Sequence, residues 1–222
     1  MPEGDANVRQ VSCNSAGELA QNDLNRAVDV ANQAVDVTPQ DHPDRAGRLN
    51  NLGNWLGTRF ERTGSIDDLN RAVDVANQAV DATPQDHPDR AIILNNLGNS
   101  LGMRFERTGS IDDLNRAVDV ANQAVDVTPQ DHPDRAISLN NLGNWLGTRF
   151  ERTGSIDDLN RAVDVANQAV DVTPQDHPNR AISLNNLGNW LSMRFERTGS
   201  IDDLNRAVDV FIQPWKLAQY AI

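Results

Sequence analysis

The chain repeats itself every 45 residues, and no other feature limits its fold as much. Leu24, Leu69, Leu114, Leu159 and Leu204 each open the string LNRAVDV. Residues 69–113 and 114–158 differ at only four positions: Ala82/Val127, Ile93/Ser138, Ser100/Trp145 and Met103/Thr148. Units of this length are too small to bury an apolar face alone, so each must pack on its neighbours in a linear stack.

Each unit reads as two helices. The first begins near Asp86-His87-Pro88, where proline is tolerated because first-turn N–H groups have no intrahelical partner. It stops at Thr108-Gly109, with glycine suited to the left-handed backbone that ends helices. The second starts at Ser110, where Ser-Ile-Asp-Asp has capping-box spacing, and ends before Thr128-Pro129. So short a turn forces the pair antiparallel. The expected fold class is therefore all-α, an α-solenoid of antiparallel helix pairs.

At about 100° per residue the first helix sorts into two faces. Leu94, Leu97, Gly98, Leu101 and Phe105 form the expected core face, and Asn95, Asn99, Gly102 and Glu106 fall on a separate arc. In the second helix Leu114, Ala117, Val118, Ala121, Ala124 and Val125 make the apolar stripe. The small residues among them let a neighbouring helix approach closely.

The charge excludes several partners. A formal net charge of −12 repels nucleic acid and anionic membrane surfaces alike. No apolar run approaches the roughly 20 residues that span a bilayer. MPEGDANVRQ lacks the basic and apolar regions of a secretory signal. With a single cysteine, Cys13, and no such signal, a soluble cytoplasmic protein is expected.

Ala117, Ala121, Ala124 and Pro129 keep the 4-3-5 spacing of the second helix of a tetratricopeptide repeat (TPR). Leu97-Gly98 resembles that family's Leu-Gly pair in the first helix. His-Pro before the first helix and Leu-Asn-Asn-Leu within it resemble the longer repeats of kinesin light chains. The pattern is similar again to arrays following nucleotide-binding domains in fungal NOD-like receptor (STAND) proteins, over roughly residues 20–210.

The resemblance implies a right-handed superhelix whose concave surface is lined by the first helices. The implied peptide-binding positions are Asn50, Asn54, Asn95, Asn99, Asn140, Asn144, Asn185 and Asn189. In related arrays such asparagines hydrogen-bond the backbone of an extended peptide, and an amide offers the donor and acceptor that role needs. Chaperone-binding TPRs clamp a carboxylate with Lys or Arg; this arc offers Asn, Gly and Glu instead. Glu106 and Glu151, with Glu61 and Glu196, point to a neutral or basic ligand.

Catalysis and metal binding fit the pattern poorly. The four histidines, His42, His87, His132 and His177, stand one per repeat inside Asp-His-Pro. Equivalent residues of stacked helix pairs lie at least about 10 Å apart, so the histidines read as helix-start signals rather than a metal set. Asp112-Asp113 reads as a first-turn feature complementing the helix dipole. There is no glycine-rich phosphate loop, and four copies of one motif do not make an asymmetric catalytic constellation. No enzyme activity, metal or cofactor is expected.

Trp55, Trp145 and Trp190 align with Ser100. The pairing of Ile93 with Ser100 against Ser138 with Trp145 reads as volume compensation at the core edge, with exposed partner anchors as the alternative. Arg104 shares that edge and is expected to pair with an acidic neighbour.

Three segments result: a non-repeat, partly disordered N-terminus (1–18), the repeat array (19–210), and a divergent apolar tail or cap (211–222), with Pro214 expected to break the last helix. The function expected is a protein-interaction scaffold holding an extended peptide or partner protein. The competing reading is a structural spacer or self-association array, such as a fragment of a larger receptor, with no dedicated ligand. End-to-end association is its natural consequence, because uncapped solenoid ends expose stacking surface.

Overall fold

The computed structural model describes residues 21–177 and 179–219, with side chains as far as Ile212. The described residues form helices joined by turns, with no strand. They fall into two compact units, Met1–Pro84 and Gln85–Ile222. The first holds α1 (21–36), α2 (Arg45–Thr63) and α3 (Ile66–Asp81). The second holds α4 (Arg90–Thr108), α5 (Ile111–Val127), α6 (Arg135–Thr153), α7 (Ile156–Val172), α8 (Arg180–Thr198) and α9 (Ile201–Gln219). The all-α solenoid read from the period is the observed fold class.

The turn inside each pair is built from local chemistry. Gly109 sits at φ 72° and donates its N–H to Phe105 O at 2.7 Å, closing α4. Any side chain would be strained at that φ. Ser110 caps α5 by accepting the Asp113 N–H at 3.3 Å. The return arm of a capping box is replaced: the Ser110 N–H goes to Thr108 Oγ1 at 3.2 Å, which leaves the Asp113 carboxylate free for Arg104. The same turn recurs at Gly64, Gly154 and Gly199.

The inter-repeat turn is tied by its histidine and by the arginine that opens the next helix. His132 Nδ1 accepts the Asp134 N–H at 3.1 Å, as His42, His87 and His177 do for residues two further on. Arg135 Nη1 donates to Val125 O at 3.1 Å and to Thr128 O, covering the carbonyl end of α5. Arg45 and Arg180 do the same for α1 and α7. These arginines satisfy last-turn carbonyls that would otherwise lack a partner.

Packing follows the expected stripes. One buried cluster joins Val118 and Ala121 of α5 to Leu139, Leu142 and Leu146 of α6 and to Ala162 and Ala169 of α7. Within the second unit α6 is thus sandwiched between α5 and α7, and α8 between α7 and α9, the arrangement that lets short units share a core. The Pro214 expectation is overturned, since α9 runs on to Gln219. Proline removes one N–H and crowds the carbonyl four residues back, which weakens a helix without always ending it. The expectations for residues 1–18, Cys13 included, lie outside the described residues, as does the far end of the tail.

Candidate functional site

In the second unit the first helices α4 and α6 lie side by side and leave a groove of about 530 Å³ between them. Asp89, Ile92, Asn95 and Asn99 line it from one side, and His132, Ile137 and Asn141 from the other. The α4 residues recur at helical spacing, so they share one face.

Asn95 and Asn99 had equal standing by register, and the structure separates them. Asn99 is exposed, whereas Asn95 is 8% exposed because α6 covers it. Asn95 Nδ2 donates to Ser138 Oγ at 3.0 Å. Ser138 Oγ lies 3.4 Å from Thr128 Oγ1, whose own proton goes to Ala124 O at 2.6 Å. With that proton committed, Ser138 is the donor to Thr128. A buried polar relay therefore runs from α4 through α6 to the end of α5. The exchange of Ile93 for Ser138 is thus a change of chemistry rather than of volume alone.

Asn95 Oδ1 is buried and has no hydrogen-bond partner among the described residues. One repeat on, Asn140 Nδ2 donates to Ser183 Oγ at 3.0 Å, and there Asn186 Nδ2 donates to Asn140 Oδ1 at 3.3 Å. A buried acceptor left unpaired costs about 1–3 kcal/mol. Asn95, a lining residue of the α4–α6 groove, therefore keeps a buried acceptor whose counterpart in the α6–α8 pair is satisfied internally.

The remaining candidates are dispersed. Asn54, Asn144, Asn185 and Asn189 are exposed, and Asn50 is half-buried. Glu106 and Glu151 are exposed in the last turns of α4 and α6 and do not line the groove, where the acidic groups are Asp89 and Asp134. Sequence reasoning missed Ile92, Ile137 and Ile182, which are exposed and stand one period apart. Isoleucine at an exposed position of an otherwise polar arc was the available signal.

Gly102 was assigned to the groove arc and belongs elsewhere. It is buried beneath Trp145, as Gly147 is beneath Trp190. A Cβ on Gly102 would lie 2.0 Å from Trp145 Cη2, so the glycine is the seat of the indole from the next repeat. Trp145 and Trp190 thus act as packing groups, each half-buried against a core cluster.

Arg104 pairs with Asp113 through two parallel hydrogen bonds of 2.6 and 2.8 Å, joining the two helices of one repeat. Arg59–Asp68, Arg149–Asp158 and Arg194–Asp203 repeat the pair. Among the described residues no three His, Cys, Asp or Glu side chains gather as a metal set, and no helix is long and apolar enough to cross a membrane.

The family model of the tetratricopeptide repeat matches residues 45–89, 90–134 and 135–179. No curated protein matches the chain. Among solved structures, the chain is similar to the nearly identical TPR-like repeats of a kinesin-light-chain-type protein from Podosopora anserina. That match has a TM-score of 0.61 at 18% identity and covers 93% of this chain and 96% of the other. It is also similar to BtubC (BKLC) from P. vanneervenii, with a TM-score of 0.66 at 18% identity over 96% of this chain and 82% of the other. Those likenesses show the fold, and the family match spans well over half of the sequence. This chain, with its two-helix units, shared cores and repeating turns, belongs to the tetratricopeptide repeat family.

Proposed function

We propose that the chain is a protein-interaction scaffold that holds an extended peptide, or an extended segment of a partner protein, along its first helices. Tetratricopeptide repeats generally mediate protein–protein contacts, and their fold is a non-catalytic scaffold. The observation that supports the reading is the α4–α6 groove, lined by Asn95, Asn99 and the exposed Ile92 and Ile137. Asn99 offers a donor and an acceptor at the rim, and Ile92 and Ile137 offer apolar contact to a side chain between them. Asp89 and Asp134, with Glu106 and Glu151 beyond the groove, favour a neutral or basic ligand. The exposed Asn54, Asn144, Asn185 and Asn189 extend the reading to the other repeats as further peptide contacts, whereas Asn140 is buried and satisfied internally.

The test is an immobilised peptide library probed with the full chain and with an Asn99→Ala/Asn144→Ala variant. Both residues are exposed, so the variant should fold as the parent does, which circular dichroism checks. Neutral and basic peptides should be retained by the parent, with affinity reduced about tenfold or more in the variant, the scale of two lost peptide hydrogen bonds. Equal binding by the variant would leave the spacer reading in place, and retention of acidic peptides above all others would overturn the neutral-or-basic preference.

A further inference from the structure

The two ends of the array are finished differently. In α8, Ser192 replaces the glycine that seats an indole in α4 and α6, and Phe211 covers Gly188, where an added Cβ would meet its ring at 2.6 Å. Phe211 of this chain thus packs on the glycine whose counterparts, Gly98 and Gly143, meet the next repeat's indole nitrogen. The α8 end lacks the second glycine that seats an indole and has its first one covered.

Among the described residues the opposite end is open. Val120 and Val165 are 8% and 9% exposed because a glycine of their own first helix packs on them, while the equivalent Val30 of α1 is 56% exposed. Trp55 of α2, equivalent to the seated Trp145 and Trp190, is 44% exposed. Asp23, equivalent to the arginine-paired Asp113, is exposed and has no cationic partner among the described residues. These three groups border one groove of about 470 Å³ whose lining also includes Ala27, Ala31 and Ala34 and, at its polar side, Arg26, Arg48 and Asn51.

Each exposed group asks for a particular complement, shown elsewhere in this chain. The valine asks for the first glycine of a Gly-x-x-x-Gly helix, as Val120 has Gly98. The indole asks for the second, as Trp145 has Gly102. The carboxylate asks for an arginine two residues later, as Asp113 has Arg104. Residues 1–20 do not carry this pattern, because one period before Gly53, Gly57 and Arg59 stand Val8, Ser12 and Asn14. A second copy's α8 does not offer it either, because Ser192 stands where the second glycine is required.

We propose that the α1–α2 face is a docking site for a partner protein's helix of the pattern Leu-Gly-x-x-Leu-Gly-x-Arg, the first helix of a repeat of this kind. The docked helix lies across α1 in the place α4 takes against α5. Its two glycines receive Val30 and Trp55, and its arginine forms the bidentate pair with Asp23. Continuity with the inter-repeat packing supplies the shape of the site, and the unpaired carboxylate supplies its charge preference. This surface is separate from the asparagine-lined groove.

The probe is a fluorescein-labelled peptide copying residues 90–108, held helical by a side-chain cross-link on its polar face, with its helicity verified by circular dichroism. Anisotropy against the full chain should show saturable one-to-one binding. Trp55→Ala should weaken it at least tenfold, as loss of a central aromatic anchor does. The peptide change Gly102→Leu should abolish binding. Asp23→Arg should weaken it, and the peptide change Arg104→Asp should restore affinity to that variant alone. Asn99→Ala/Asn144→Ala should leave this binding unchanged, which separates its outcome from that of the groove. Failure of the helical peptide to bind, or binding indifferent to Trp55→Ala, overturns the proposal. So does a dimer in sedimentation that Trp55→Ala disperses, which would make a second copy the occupant. Binding that appears only after removal of residues 1–20 would likewise give the face to the chain's own terminus.

Discussion

Gly102→Ala should destabilise the second unit by about 2 kcal/mol, although alanine is the better helix former by about 1 kcal/mol. The new Cβ would stand 2.0, 2.4 and 2.7 Å from three carbons of the Trp145 indole. None of those contacts is tolerable, and the atoms belong to a rigid ring rather than to the end of a flexible chain. Relief requires the whole indole to lift away from α4, which surrenders its contact with the core cluster around Leu142 and Leu146. Overpacking of this kind costs about 1–3 kcal/mol and a displaced aromatic group somewhat more, so the steric term outweighs the propensity gain.

The control has the opposite sign. Gly47 lies in the first turn of α2 and is exposed, and a Cβ there would meet nothing within 4 Å. Gly47→Ala should therefore raise stability by up to about 1 kcal/mol. Urea midpoints of the two variants, moving in opposite directions from the parent, check both. In a double-mutant cycle, Trp145→Ala should remove most of the penalty of Gly102→Ala, because the clash needs both partners. Additive effects of the two substitutions would remove Trp145 as the cause.

What was legible in the sequence was what depends on a few successive residues. The Thr-Gly-Ser turn, the Ser110 cap and the proline-bearing turn between repeats follow from local backbone preferences, and the structure places helix ends there. The apolar stripes follow from helical periodicity, and Leu94, Leu97, Leu101 and Leu114 are buried as the wheel requires. Residues governed by contacts one period away were harder to read. Asn95 and Asn99 share an arc on the isolated helix, yet α6 buries one and leaves the other exposed. Gly102 also shared that arc and turned out to hold the next repeat's tryptophan. A helical wheel gives direction around one axis but not the offset between neighbouring helices, and that offset decides which residues meet. The same gap hid the open α1–α2 face, since Val30 and Val120 sit in identical local sequence and differ only in what lies across from them.

The Arg–Asp pairs should set the acid limit of the fold. Asp113 and Arg104 have side chains 8% and 20% exposed, and two parallel hydrogen bonds join them. The Arg104 hydrogen bonds hold the Asp113 carboxyl below its ordinary range, against the opposing effect of burial, and Ser110 and Arg116 reinforce them. Asp158 and Asp203 are lowered for the same reasons by Arg149 and Arg194, and those two arginines are raised in turn. A carboxyl whose folded pKa lies below its unfolded value of about 3.9 binds fewer protons when folded, so it stabilises the fold at any pH above that value. The contribution declines as pH falls below about 4 and is gone once the pH has passed through the lowered folded value. Asp113→Asn keeps the shape, removes the charge and leaves a mostly buried guanidinium with a weaker partner. It should cost about 2–3 kcal/mol at pH 7, near the lower end of the cost of breaking a buried pair. The difference between parent and variant should be constant from pH 7 to about 5 and shrink below pH 4. Taking that difference cancels the general titration of a chain with a net charge of −12. Urea midpoints measured across that range check it, and a parent–variant gap that persisted undiminished well below pH 4 would mean that Asp113 acts through shape rather than through its charge.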